Sequence, residues 1–328
     1  MKNIDNNFFN TKNIKIWSTI GSRAAFGLAS NEIVKHNPKL MILTADVSTS
    51  AGLDKFRKNF KENYIDVGIS EQNLIGVATG LSRKGFDVIT TTFSPFQTLR
   101  CCEQIKVNLG YMREKVTLVG LASGLVLGAL GYTHCSIEDV GVLRSIPNIT
   151  IVSPADSFET VKAVIESINS KNSVYIRLTG GSPNPIVYKE DYKFEIGKAI
   201  TIKKGDKIAI VASGASVSEA LKARQSLEEE NIFPEIINMH TIKPIDKEIL
   251  KILSQRFENI ITVEEHNIIG GLGSAVTEEL SCLGINTRVH RMGINDEYSK
   301  SGTYNFMKDI HKISSKFIFE KVKEIMKI

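Results

Sequence analysis

The amino-acid sequence predicts an α/β fold made of two doubly wound domains. Three observations carry that reading. Short apolar runs of strand length alternate with stretches whose apolar residues recur at helical spacing. Residues 178–195 then break the rhythm with Gly180, Gly181, Pro183 and Pro185. After that break the same alternation restarts and continues over the rest of the chain. The expected division is an N-terminal arm at 1–15, a larger domain at 16–185 with a parallel sheet, and a smaller domain at 186–328.

Taken in order, residues 1–15 are polar and read as a loose arm. Residues 17–36 read as a helix, with Ala24, Leu28 and Ile33 on one stripe. The run 40–46 is apolar and ends in polar residues, which suits a buried parallel strand whose carboxyl end faces a site. Strands are expected at 64–67, 87–92, 116–120, 150–152 and 173–177, and helices at 71–83, 96–109, 136–144 and 157–169. In the second half, strands are expected at 207–212, 235–238, 259–264 and 287–291. Helices are expected at 217–229 and up to 255, and Gly270-Gly271-Leu272-Gly273 opens another.

Composition excludes several classes. The net charge of +5 over 328 residues is spread out. Lys203, Lys204 and Lys207 sit at a turn, and Lys312, Lys316, Lys321, Lys323 and Lys327 lie along a terminal helix, so a solvated face accounts for them and no nucleic-acid site is expected. No apolar run reaches the ~20 residues that span a bilayer. Cys101, Cys102, Cys135 and Cys282 lack metal-ligand spacing and are expected reduced, as in a cytoplasmic protein.

The chemistry-bearing stretch is Asp66-Val67-Gly68-Ile69-Ser70-Glu71-Gln72, in which Ser70 is placed to cap a helix and Glu71 to lie in its first turn. About twenty residues on comes Thr92-Phe93-Ser94-Pro95-Phe96. Gly131-Tyr132-Thr133-His134 and Val263-Glu264-Glu265-His266-Asn267 follow further along. Singly these are weak: Glu is common at helix starts, Phe is common in cores, and a lone His is often structural. As a set, covering residues 17–328, they resemble the thiamine-diphosphate enzymes of the transketolase family, and in particular the C-terminal half of a transketolase encoded as a separate subunit.

The resemblance implies a pyrimidine-binding domain followed by a transketolase C-terminal domain. It implies Glu71 as the carboxyl that bonds the cofactor's pyrimidine ring, Phe93 and Phe96 as the aromatic grip, Leu99 as a roomier third wall, and Ile69 and Asp46 as further cofactor contacts. A carboxyl in an apolar, water-poor pocket suits the first role, because burial favours its protonated form. His134 is implied as a catalytic and substrate-orienting residue, and Arg23, Ser50 and Arg177 as binders of a sugar phosphate.

The departures bear on the substrate. Ala122 and Leu130 stand where the family has His and Asp. Losing such polar partners removes hydrogen bonds of ~1.5–3 kcal/mol each when charged, so an altered sugar preference is expected. The implied activity is transfer of a two-carbon ketol unit between a ketose and an aldose through the cofactor's carbanion. The alternatives are a decarboxylating relative, namely a deoxy-ketose phosphate synthase or an oxo-acid dehydrogenase β subunit, and a non-catalytic paralogue. The family's Gly-Asp-Gly diphosphate run is missing. An N-terminal transketolase subunit carrying that motif, and most of the ligands to Mg2+ or Ca2+, is therefore expected as partner in an α2β2 heterotetramer with a homodimeric core. No metal ligand is assigned to this chain itself.

Overall fold

The computed structural model describes residues 6–284 and 287–327. The strands in chain order are β1 (Leu40–Thr44), β2 (Tyr64–Asp66), β3 (Asp87–Phe93), β4 (Val116–Leu121), β5 (Ile149–Val152), β6 (Ser173–Arg177), β7 (Ile200–Lys203), β8 (Ala209–Ala212), β9 (Glu235–Asn238), β10 (Thr241–Lys243), β11 (Asn259–Asn267) and β12 (Arg288–Ile294). They form two sheets, β10-β5-β6-β4-β3-β1-β2 and β12-β11-β8-β9-β7. All neighbours are parallel except β10 against β5 and β7 against β9, both at sheet edges. The expected two-domain α/β architecture is therefore what the chain adopts. Central strands such as β4 and β6 are buried at every position, as the near-continuous apolar runs of a doubly covered parallel sheet require.

Four local expectations change. The arm is not loose as far as residue 15: a helix spans Thr11–His36, and its own Ile14 and Trp17 are buried. That helix breaks at Gly21, whose φ of 82° only glycine tolerates readily. The single helix expected at 96–109 is replaced by Ser94–Gln97, a turn, Cys102–Gln104 and a π-helical stretch Ile105–Tyr111. Residues 136–138 stay outside the helix that begins at Asp139. Two edge strands, β7 and β10, add to the expected set; each is short, and β10 ends directly before Pro244.

β10 joins the halves, because a strand beyond residue 185 extends the first sheet. Apolar packing crosses the same seam, with Leu74, Leu118 and Ile151 sharing one buried cluster with Val211, Ile237 and Leu250. At ~1.5–3 kcal/mol per fully buried aliphatic side chain, that cluster holds the second domain to the first. On the other face the Thr11–His36 helix packs against Ser157–Asn169, and Phe26, Ile33 and Phe158 fill the contact.

Candidate active site

The strands β4, β3, β1 and β2 are adjacent and parallel, so their carboxyl ends share one edge of the sheet. Ala122 follows β4, Phe93 ends β3, Asp46 lies just past β1, and Glu71 follows the loop after β2. That edge is where open α/β sheets bind ligands. The loop is tied by Asp66, whose Oδ1 accepts from the N–H of Asp46 (3.0 Å) and of Gly68 (2.9 Å), while Thr44 Oγ1 donates to Oδ2 at 2.9 Å. Burial pushes the Asp66 carboxyl up, but these donors outweigh it and hold it below the usual carboxylate range.

Glu71 opens the Glu71–Arg83 helix and is only 5% exposed. Ser70 occupies the N-cap position without capping, because its Oγ donates instead to the Val67 carbonyl at 2.8 Å. Phe93 leaves β3 and Phe96 follows on the next turn, with ring centroids 6.4 Å apart and planes nearly perpendicular. The turn containing His134 brings its imidazole edge-on to both rings, 6.2 Å from Phe93 and 5.4 Å from Phe96. The hydroxyl of Thr133 lies 2.9 Å from His134 Nδ1. Phe93, Phe96 and His134 thus meet although up to 41 residues separate them in the chain, and Glu71 joins them through Arg100. Around them Ile69 (77% exposed) and Leu99 (40% exposed) present bare apolar side chains, and Asp46 is exposed.

The setting of Glu71 is not the purely apolar one expected. Arg100 Nη1 donates to Glu71 Oε1 at 2.7 Å, and the same guanidinium lies 3.9 Å from the centre of the Phe96 ring. Sequence reading missed Arg100, although it stands four residues after Phe96, the spacing that stacks side chains on a helix.

A cavity of about 460 Å3 is lined by Arg23, Ser50, Thr49, Leu127, the glycines at 180–181 and Ala122, which follows β4 at the same sheet edge, among others. Arg23 and Ser50 are therefore brought together as anticipated. Arg23 is half-buried, and among the described residues no carboxylate engages its guanidinium. Ala122, with Val126, Leu127 and Leu178, makes part of the wall apolar. Leu130 does not line the cavity; it is 58% exposed.

Arg177 departs from its expected phosphate role. It is 3% exposed, Nε donates to Asp139 Oδ2 at 2.8 Å, and Nη2 donates to the carbonyls of Ser136 (2.9 Å) and Glu265 (2.7 Å). Position at a strand end suggested a ligand arginine, but the strand end here is covered by the second domain. The Glu264-Glu265-His266 motif is equally internal. Glu264 accepts from the N–H groups of Leu272 and Gly273 at 2.6 and 2.8 Å, so its carboxylate fills the helix start that the glycines open. A Cβ on Gly271 would lie 2.0 Å from Glu264 Oε2, so close packing is that glycine's role.

The cluster fits the flat, amino-bearing ring at one end of thiamine diphosphate: a buried carboxyl at a helix start, with half-buried aromatic rings beside it. Among the described residues no group of three or more acidic, His or Cys side chains is placed to hold a cation. The four cysteines are free. Among the described residues no helix is long and apolar enough to cross a membrane.

A doubly wound sheet with this cradle at its carboxyl edge and a second α/β domain behind it defines the pyrimidine-side portion of a thiamine-diphosphate enzyme. Residues 18–183 match the transketolase pyrimidine binding domain and residues 197–318 the transketolase C-terminal domain. A putative transketolase C-terminal section from Methanocaldococcus jannaschii is 36% identical over 309 residues, covering 94% of this chain and 96% of that one. One of the subunits of an apulose-4-phosphate transketolase from Actinobacillus succinogenes is 37% identical over 288 residues, covering 88% and 92%. A solved split-gene transketolase, described as an inactive β4 tetramer, superposes with a TM-score of 0.84 at 35% identity, covering 93% of this chain and 97% of that chain. The chain belongs to the transketolase family and corresponds to its C-terminal section; thiamine diphosphate is the cofactor on which that family depends.

Proposed function

We propose that this chain is the C-terminal subunit of a two-chain transketolase, with residues 16–185 as the pyrimidine-binding domain and 186–328 as the C-terminal domain. It transfers a two-carbon ketol unit from a ketose phosphate to an aldose phosphate. The observation that carries this reading is the convergence of Phe93, Phe96 and His134, joined to Glu71 through Arg100, at the sheet edge where Ala122 lines a cavity with Arg23, which has no ion-pair partner among the described residues. When bound, thiamine diphosphate supplies a carbon nucleophile able to break the bond beside a ketose carbonyl. This chain's share is to hold a proton at the pyrimidine ring with Glu71, to flank the ring with Phe93 and Phe96, and to exclude water with Ile69 and Leu99. Asp46 would contact the cofactor's second ring. His134 orients the sugar hydroxyls and carries a proton at the reacting one. Arg23 and Ser50 bind the terminal phosphate.

The partly apolar cavity wall supports a sugar other than the ordinary pentose phosphates, and a relative named for apulose 4-phosphate keeps such sugars within the family. The diphosphate and its Mg2+ or Ca2+ are assigned to an N-terminal partner subunit in an α2β2 assembly. The bare Ile69 and Leu99 side chains beside the cluster support a covering chain on this face. Alone, the chain self-associates without activity, as the β4 relative is described.

Mixing with the N-terminal subunit tests the reading. Ketol transfer should require both chains, thiamine diphosphate and a divalent cation, and Glu71→Gln should lower kcat at least a hundredfold. Transfer by this chain alone, or full activity after that substitution, would refute it. Turnover of pyruvate in place of a ketose phosphate would favour the decarboxylating reading.

A further inference from the structure

We propose that Arg100 is an internal stand-in for the flat ring this cradle takes, and that its side chain must leave Glu71 and Phe96 before a ligand enters. This rests on the cofactor reading above. The Arg100 guanidinium is planar and cationic, with N–H donors in its plane. It meets Phe96 from 3.9 Å above the ring centre and gives Glu71 Oε1 a 2.7 Å hydrogen bond. A protonated aminopyrimidine offers the same pair of contacts: a ring for an aromatic surface and an in-plane N–H for a carboxylate. The two therefore compete for the same atoms.

The geometry also makes departure feasible. The Arg100 backbone is held, its N–H donating to the Pro95 carbonyl at 3.2 Å and its carbonyl accepting from Gln72 Nε2 at 3.1 Å. Its side chain is 43% exposed, against 5% for Glu71. Rotation of one long side chain into solvent opens the cradle while the loop stays in place. With Arg100 seated, Glu71 keeps a cationic partner although it is buried, so the unliganded carboxylate is not left unpaired. Apparent affinity for a ring-bearing ligand then falls by the fraction of molecules whose cradle is open.

The test is ligand-observed NMR titration of the full chain with thiamine diphosphate and Mg2+, a method that reads millimolar binding. Wild type is compared with Arg100→Met, which keeps the apolar stem, and with Arg100→Gln as a second variant. Glu71→Gln is the control for the cradle. Removing the guanidinium should tighten binding roughly three- to tenfold in both variants. Equal or weaker binding by both, with Glu71→Gln still impairing it, overturns the stand-in and leaves the cofactor reading intact. Absence of binding by every form, and by wild type mixed with its partner, overturns both.

Discussion

Ser94 Oγ lies 2.6 Å from Tyr175 Oη, and both reach Asp139 Oδ2, at 3.2 and 2.7 Å. The turn that carries Phe93 and Phe96 is thereby pinned from beneath by a side chain on β6. Arg177 completes the knot: through Asp139 and the Glu265 carbonyl it ties the aromatic turn to the second domain. Burial pushes the Asp139 carboxyl up, but Arg177 and His266 outweigh it and hold it below its ordinary value.

Arg177→Met should therefore act on folding. Breaking one side of a buried ion pair strands the other charge, at a cost of about 3–5 kcal/mol. Urea unfolding should show that loss, and Arg177→Lys, which lacks the second arm, should recover little of it. A variant of normal stability that had selectively lost affinity for phosphorylated sugars would restore the ligand role.

Arg23→Met should do the opposite. Its guanidinium has no ion-pair partner among the described residues, so the unfolding free energy should stay within about 0.5 kcal/mol of wild type. KM for a phosphorylated sugar in the assembled enzyme should rise roughly 10–100-fold, as loss of a charge-assisted hydrogen bond implies. An unchanged KM would remove Arg23 from the substrate site.

The contrast between these arginines shows where the sequence was legible. Alternation of strand and helix revealed both sheets, and short motifs with the family resemblance they carry pointed to Glu71, Phe93, Phe96 and His134, because those signals are local. Whether an arginine at a strand end meets solvent or another domain depends on packing from far along the chain, so Arg177 read the same as a ligand. β10 was hidden for the same reason: the three residues Thr241–Lys243 become a strand only because β5 offers a free edge. Arg100 was open to discovery from its distance to Phe96, but its salt bridge to Glu71 crosses 29 residues.

Gly27→Ala separates local propensity from packing. In an isolated helix the change would stabilise by about 1 kcal/mol. Here the added Cβ would lie 2.1 Å from the Gly52 carbonyl oxygen, and backbone cannot step aside as a side-chain tip can. Steric cost of ~1–3 kcal/mol should win. The thermal midpoint should fall; a rise would mean that the helix and the Gly52 loop part easily.

Glu264 should give stability a pH signature of definite sign. Burial pushes its carboxyl up to about 7 from an ordinary 4.5, although the Leu272 and Gly273 N–H groups offset part of the rise. Between those values the folded chain holds a proton that the unfolded chain has released. Stability from this group is thus complete below about 4.5 and is lost as pH rises through about 7. Asp156, pushed up to about 6 by burial, acts in the same direction. His240 and His266, pushed down to about 4 by burial, act in the opposite one, because they lose stability as pH falls from 6.5. Glu264→Gln leaves those three in place, so they drop out of the difference between variant and wild type. Urea unfolding at pH 5, 6, 7 and 8 should show the advantage of wild type shrinking by up to about 1.4 kcal/mol per pH unit across the window and levelling off above it. A difference that stayed flat, or grew with pH, would show that Glu264 is ionised in the folded chain throughout.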